Sequence, residues 1–167
     1  GYAVSTCSAA TDYVGYTSTP ATTANVVTGR VYLAMFTPTC TSGCSSGTFG
    51  VGNVYHDNTN TDNVKICLYT DDGDSVPDSG DPLLECEVAT SSAVEWAESA
   101  AFSASAACGP NYLVANGADR TEWQGAYDAT GTAYYQDTGA YTTPPSDLSG
   151  TWSSLTRSYG VNVEIGP

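Results

Sequence analysis

Hydrophobic and polar positions alternate in short runs along this chain, and clusters of Gly, Pro, Asn, Asp and Ser separate the runs. Residues 64–70 (VKICLYT) put Ile66 and Leu68 on one face, the period-two signature of a strand. Residues 83–89 (LLECEVA) return as its partner across a polar loop. Residues 158–165 (SYGVNVEI) alternate with Tyr159, Val161, Val163 and Ile165 inward and form a closing strand. Residues 26–38 (VVTGRVYLAMFTP) are apolar on both faces, as a central strand is, and end at Pro38. Further strands are expected from Phe49, Val51 and Asn53 and over 111–116. Residues 122–127 and 132–136 read as a short pair.

Two stretches are less regular. Residues 1–25 are rich in Ser, Thr, Ala and Tyr, with a weak alternation at Tyr13, Gly15 and Thr17. Residues 91–108 contain a potential capping box at Ser92 and Glu95 and many alanines, which favour helix. Val94, Trp96 and Phe102 nevertheless hold no helical stripe, so two strands are expected, over 93–98 and near 101–106. Residues 56–63 (HDNTNTDN) are all turn formers. Many short strands and no convincing helix predict an all-β fold, an antiparallel β-sandwich. The expected organisation is an extended segment over 1–25, able to donate a strand, followed by one sandwich domain over 26–167.

Composition adds a compartment. The six cysteines are Cys7, Cys40, Cys44, Cys67, Cys86 and Cys108, with no CxxC and a single histidine, His56. Zinc would need more short-spaced ligands, so disulfides are the better reading, and they point outside the reducing cytosol. Cys67 and Cys86 flank one loop and could pair across a hairpin. Cys40 with Cys44 would close a small loop, and Cys7 with Cys108 would then tie the first segment to the body. A first residue that is Gly rather than Met is expected of a processed, mature form. The net charge is −14, with 18 Asp and Glu against 4 Lys and Arg. That balance argues against nucleic-acid partners and anionic lipid surfaces, and no apolar run is long enough for membrane insertion.

Candidate chemistry concentrates in the loop over 71–82. Asp71, Asp72, Asp74, Asp78 and Asp81 offer closely spaced oxygens of the kind Ca2+ takes. Val76 and the lack of a closing Glu separate the loop from an EF-hand. The alternative is a solvated hairpin loop whose Asp and Gly residues shape turns. His56, Asp57 and Asp62 make a weaker cation candidate in a stretch that reads first as a turn. Aromatics gather late in the chain at Trp123, Tyr127, Tyr134, Tyr135, Tyr141 and Trp152, a stock from which a sugar site or a subunit interface is built. Tyr134 and Tyr135 are consecutive in a strand and must face opposite ways. No G-x-S-x-G occurs, and no spacing singles out an acidic pair such as Glu95 and Glu122, so no enzyme is expected.

The succession of 64–70, 82–86, the Trp96 to Phe102 segment, 109–114 (GPNYLV), Tyr134–Tyr135, Tyr141 and Pro144–Pro145 resembles the jelly-roll modules of secreted bacterial hydrolases and surface proteins. The resemblance covers about residues 64–165. It implies a jelly-roll sandwich and, in some of its members, carbohydrate binding. The expectation is an extracellular or cell-surface structural protein that self-associates into a homopolymer such as a filament, pilus-like fibre or coat. The alternative is a polysaccharide-binding module of a larger secreted protein.

Overall fold

A computed structural model describes residues 12–25, 30–36, 46–56, 61–74, 76–107, 112–118, 124–137 and 144–166. Every regular element among them is a strand. The first seven are β1 (Asp12–Gly15), β2 (Thr22–Asn25), β3 (Arg30–Phe36), β4 (Ser46–His56), β5 (Asp62–Thr70), β6 (Leu83–Ser91) and β7 (Glu95–Ala101). The rest are β8 (Ser105–Ala107), β9 (Tyr112–Ala118), β10 (Gln124–Asp128), β11 (Ala133–Asp137), β12 (Ser153–Leu155), β13 (Ser158–Tyr159) and β14 (Val161–Gly166).

All pairings are antiparallel, and they build two layers. One sheet runs β1-β14-β4-β7, with β8 on the first part of β4 and β10 joining β4 to β2 and β13. The other runs β6-β5-β9-β3-β11-β12. The sheets meet where Ala89 of β6 pairs Ser99 of β7. The chain turns between those two strands at residues 91–94, where the Ser91 hydroxyl donates to Glu95 Oε1 at 2.8 Å and accepts from the Ala93 amide at 3.2 Å. The capping-box residues next to Ser91 therefore serve a hairpin turn, and the helix alternative is not adopted.

Alternation decides which face is buried. Ile66 and Leu68 of β5 and Val161, Val163 and Ile165 of β14 lie in the main core between the layers. Each such aliphatic side chain contributes roughly 1.5–3 kcal/mol by leaving water. The opposite face of β5 is buried as well: Cys67 and Tyr69 join Leu148 in a second cluster outside the sandwich. Residues 144–152 cover that face. The Tyr69 hydroxyl donates to the Pro145 carbonyl at 2.8 Å, and Trp152 Nε1 donates to the Leu148 carbonyl at 2.8 Å.

Several expectations change. Residues 122–127 and 132–136 do not pair with each other: β10 takes β2, β13 and one position of β4, whereas β11 lies in the other sheet between β3 and β12. Nearness in sequence suggested a hairpin, but β10 lies between β2 and β13 in one sheet and β11 between β3 and β12 in the other. Of the turn read over 56–63, His56 instead ends β4 and Asp62 and Asn63 begin β5, while residues 57–60 lie outside the described residues. Within the amino-terminal segment, β1 pairs β14 and β2 pairs β10 of the same chain, while residues 1–11 lie outside the described residues. The central position expected for the 26–38 strand is found, with β3 between β9 and β11.

Candidate functional site

The acidic loop is held by its own carboxylates. Asp71, Asp72, Asp74 and Asp78 each accept from the amide two residues on, at 3.1, 3.3, 2.9 and 2.6 Å, so each shapes a tight local turn. Asp81 is the anchor. It is fully buried, with Oδ1 accepting from the Asp72 amide and Oδ2 from the Asp78 amide, both at 3.0 Å. The Asp81 amide in turn donates to the Asp78 carbonyl at 3.2 Å. Gly80 makes the approach possible, because a Cβ there would lie against the Asp72 carboxylate and 3.0 Å from Asp78 Oδ1.

These turns gather ligand atoms into two overlapping groups, Asp71–Asp72–Asp74 and Asp72–Asp78–Asp81, each with its oxygens within 4.8 Å of one another. All five residues singled out in the sequence thus come together, with Asp72 common to both groups. Burial raises the Asp81 carboxyl above the usual range. The Asp78 and Asp72 amides oppose that rise, and the charges of Asp71 and Asp78 add to it. The amide of Asp74 lowers Asp72, but desolvation and the charges of Asp74, Asp78 and Asp71 outweigh it, so Asp72 is raised too. Such a set suits a hard cation that completes its shell with water and carbonyl oxygens.

The loop is closed at its base by the disulfide Cys67–Cys86, which joins directly paired positions of β5 and β6. Cys7, Cys40, Cys44 and Cys108 lie outside the described residues, as do Trp123, Tyr141, Asp57 and Glu122. The remaining late aromatics are all half-buried and divide between two places. Tyr127 and Tyr135 pack against the main core, and Tyr134 and Trp152 pack against the outer cluster. Tyr134 and Tyr135 face opposite ways, as consecutive strand residues must. Tyr127 also holds the Arg157 guanidinium 4.1 Å from its ring centroid. His56 is buried, with Nδ1 2.9 Å from the Ala93 carbonyl, and the Asn63 side chain accepts from the Thr90 hydroxyl at 2.7 Å. Those bonds tie both ends of the expected weaker cation stretch into sheet structure.

A groove of about 310 Å3 lies elsewhere, on the outer face of the sheet β1-β14-β4-β7. Its floor is a row of paired positions, Asn162 of β14 beside Asn53 of β4 beside Glu98 of β7. Tyr13 and Glu164, themselves paired, stand at one end, and Trp96 stands at the other. The floor is tied together: Asn53 Nδ2 donates to Asn162 Oδ1 at 2.9 Å, and Asn162 Nδ2 donates to the Tyr16 carbonyl at 3.0 Å. Trp96 meets Tyr55 edge-on, centroids 5.4 Å apart, and its Nε1 donates to the Thr19 hydroxyl at 3.3 Å. None of these residues was singled out as a site in the sequence. The only signals were the Tyr13 alternation and the lone Trp96.

No protein-family profile matches the chain, and no curated protein matches it in sequence. Among the described residues no helix is long and apolar enough to cross a membrane.

Proposed function

We propose that this chain is a non-catalytic structural protein of the extracellular surface, a subunit that joins copies of itself edge to edge into a fibre or coat. The observation that carries the reading is the pair of sheet edges. β1 and β12 end the strand order, and no described strand pairs with the outer side of either. Neither β1 (DYVG) nor β12 (SSL) contains the Lys or Pro that often blunts an edge, although at four and three residues each offers only a short pairing surface. Joining β1 of one copy to β12 of the next is a head-to-tail contact, which propagates unless the rotation closes a ring. The Cys67–Cys86 disulfide supports an oxidising location, and the hydroxyl-rich, lysine-poor composition suits a protein displayed there. In this reading Ca2+ at Asp72, Asp78 and Asp81 stiffens the β5–β6 loop and neutralises part of the charge that keeps copies apart.

Electron microscopy and sizing of the native protein test the proposal. Polymers are expected, and Ser154→Lys in β12 should leave folded monomers. A native protein that stays monomeric at every concentration and salt, with and without Ca2+, would refute it.

A further inference from the structure

We propose that the groove on the outer face of β1-β14-β4-β7 is a binding site for an extended linear polyamine. The site is independent of self-assembly: Tyr13 lines the sheet face, whereas copies would join through the backbone edge of β1.

Each end of the groove carries one aromatic ring beside one carboxylate. Tyr13 and Glu164 are directly paired across β1 and β14, and Trp96 and Glu98 are two residues apart on β7, so each couple shares a face. A carboxylate and an aromatic face both attract an ammonium group, and here they stand side by side. Among the described residues neither Glu98 nor Glu164 makes an ion pair or hydrogen bond, and the lining includes no Lys or Arg. Gly50 leaves room for the Glu164 carboxylate, since a Cβ there would lie 3.1 Å from Glu164 Oε2. Trp96 is already oriented by the Tyr55 edge and the Thr19 hydroxyl, which lowers the ordering cost on binding.

Spacing sets the length of the ligand. Glu98 lies in the Asn53–Asn162 row two strands from β14, and Glu164 lies two residues beyond that row along β14. Strand separation and rise then put the Cα atoms of the two glutamates roughly 12 Å apart. That is too far for one metal ion or one ammonium to bridge, and it is close to the reach of extended spermidine. Between the couples, Asn53 spends one amide hydrogen on Asn162 and keeps its carbonyl oxygen. A middle amine over the row can donate to that oxygen while the terminal amines reach the two carboxylates.

A basic peptide is the competing source of spaced cations. Its backbone N–H and C=O groups would lie against a sheet face, where the backbone groups beneath are already spent within the sheet. A polyamine brings no such groups and is thin enough for a groove of about 310 Å3. The net charge of −14 raises the local concentration of any cation. The acidic loop attracts cations too, but the oxygens of each of its groups lie within 4.8 Å of one another, a spacing for one compact cation.

Calorimetric titration of the whole chain tests the inference, with spermidine, 1,8-diaminooctane, 1,4-diaminobutane, 1,8-octanediol and an acetylated trilysine amide matched in charge to spermidine. Spermidine and the eight-carbon diamine should bind one per chain, more weakly as salt rises. The four-carbon diamine reaches one couple only and should bind at least about threefold more weakly, and the diol should not bind. Glu98→Gln and Glu164→Gln should each weaken spermidine about threefold, and the double variant about tenfold, with circular dichroism unchanged. Asp72→Ala, in the acidic loop, should bind spermidine as the parent does. No binding of either long amine would overturn the proposal. So would equal binding of the short diamine or the diol, full affinity in the double variant, loss of binding in Asp72→Ala, or tighter binding of the trilysine peptide.

Discussion

Single carboxylates do unlike work in this protein, and their surroundings decide which. Asp81 is buried and accepts two backbone amides that would otherwise lack a partner in the loop. Asp81→Ala removes both acceptors and should cost about 2 kcal/mol, read as a lower urea midpoint. Glu85 clamps the turn after β7, accepting from the Ser103 amide and hydroxyl, both at 2.8 Å, and from the Ala104 amide at 2.9 Å. Desolvation raises the Glu85 carboxyl, but the bonds from Ala104 and Ser103, with a further one from Glu87, outweigh it and leave it below the usual range. A carboxyl lowered on folding stabilises above its unfolded value and loses that contribution as pH falls through the folded value. The stability gap between the parent and Glu85→Gln should therefore be full at neutral pH and close as pH drops below about 4. A gap that is constant across denaturation curves from neutral to strongly acid pH would exclude this role.

At the scale of elements, the β5–β6 hairpin is the most heavily constrained unit. β5 is buried on both faces, by the main core and by the cluster of Cys67, Tyr69 and Leu148. The disulfide spans 19 residues at the base of the acidic loop. Replacing both Cys67 and Cys86 with Ala should cost about 3 kcal/mol in the chain-entropy account, and limited proteolysis should then cut first near residues 71–81. β4 shows why alternation alone misleads. Phe49 and Val54 are both buried in the main core although they differ in parity. An irregular register between Val51 and Asn53 against β7 reverses the alternation in between, leaving Asn53 to line the outer groove.

The whole molecule carries a charge of −14, and its densest carboxylate cluster is the one loop. Asp72 and Asp81 are raised above their unfolded values, so at these two groups the folded chain holds more protons than the unfolded one in that window. Stability from these two groups therefore falls as pH rises through it. A cation bound at neutral pH reverses the penalty. In the proposed calcium reading, free Ca2+ at a hundredfold excess over Kd should add about 2.7 kcal/mol. That corresponds to a rise in Tm of roughly 5–10 °C. Asp72→Ala, which removes the residue shared by both acidic groups, should abolish the rise. An identical Tm with Ca2+ and with chelator would remove calcium from the picture and leave the loop a set of carboxylate-shaped turns.

What the residues alone determined was local. The period-two runs of β5 and β14, the doubly apolar β3, the disulfide hairpin and the acidic loop were all legible, because each depends on neighbours a few positions apart or across one turn. The tertiary structure decided what depends on strand order. β10 and β11 part into different sheets, β1 joins β14 from the far end of the chain, and Tyr13, Asn53, Trp96 and Asn162 meet in one groove. No sequence period encodes such meetings, because antiparallel pairing between distant strands is chosen by which buried faces fit when the whole sandwich closes.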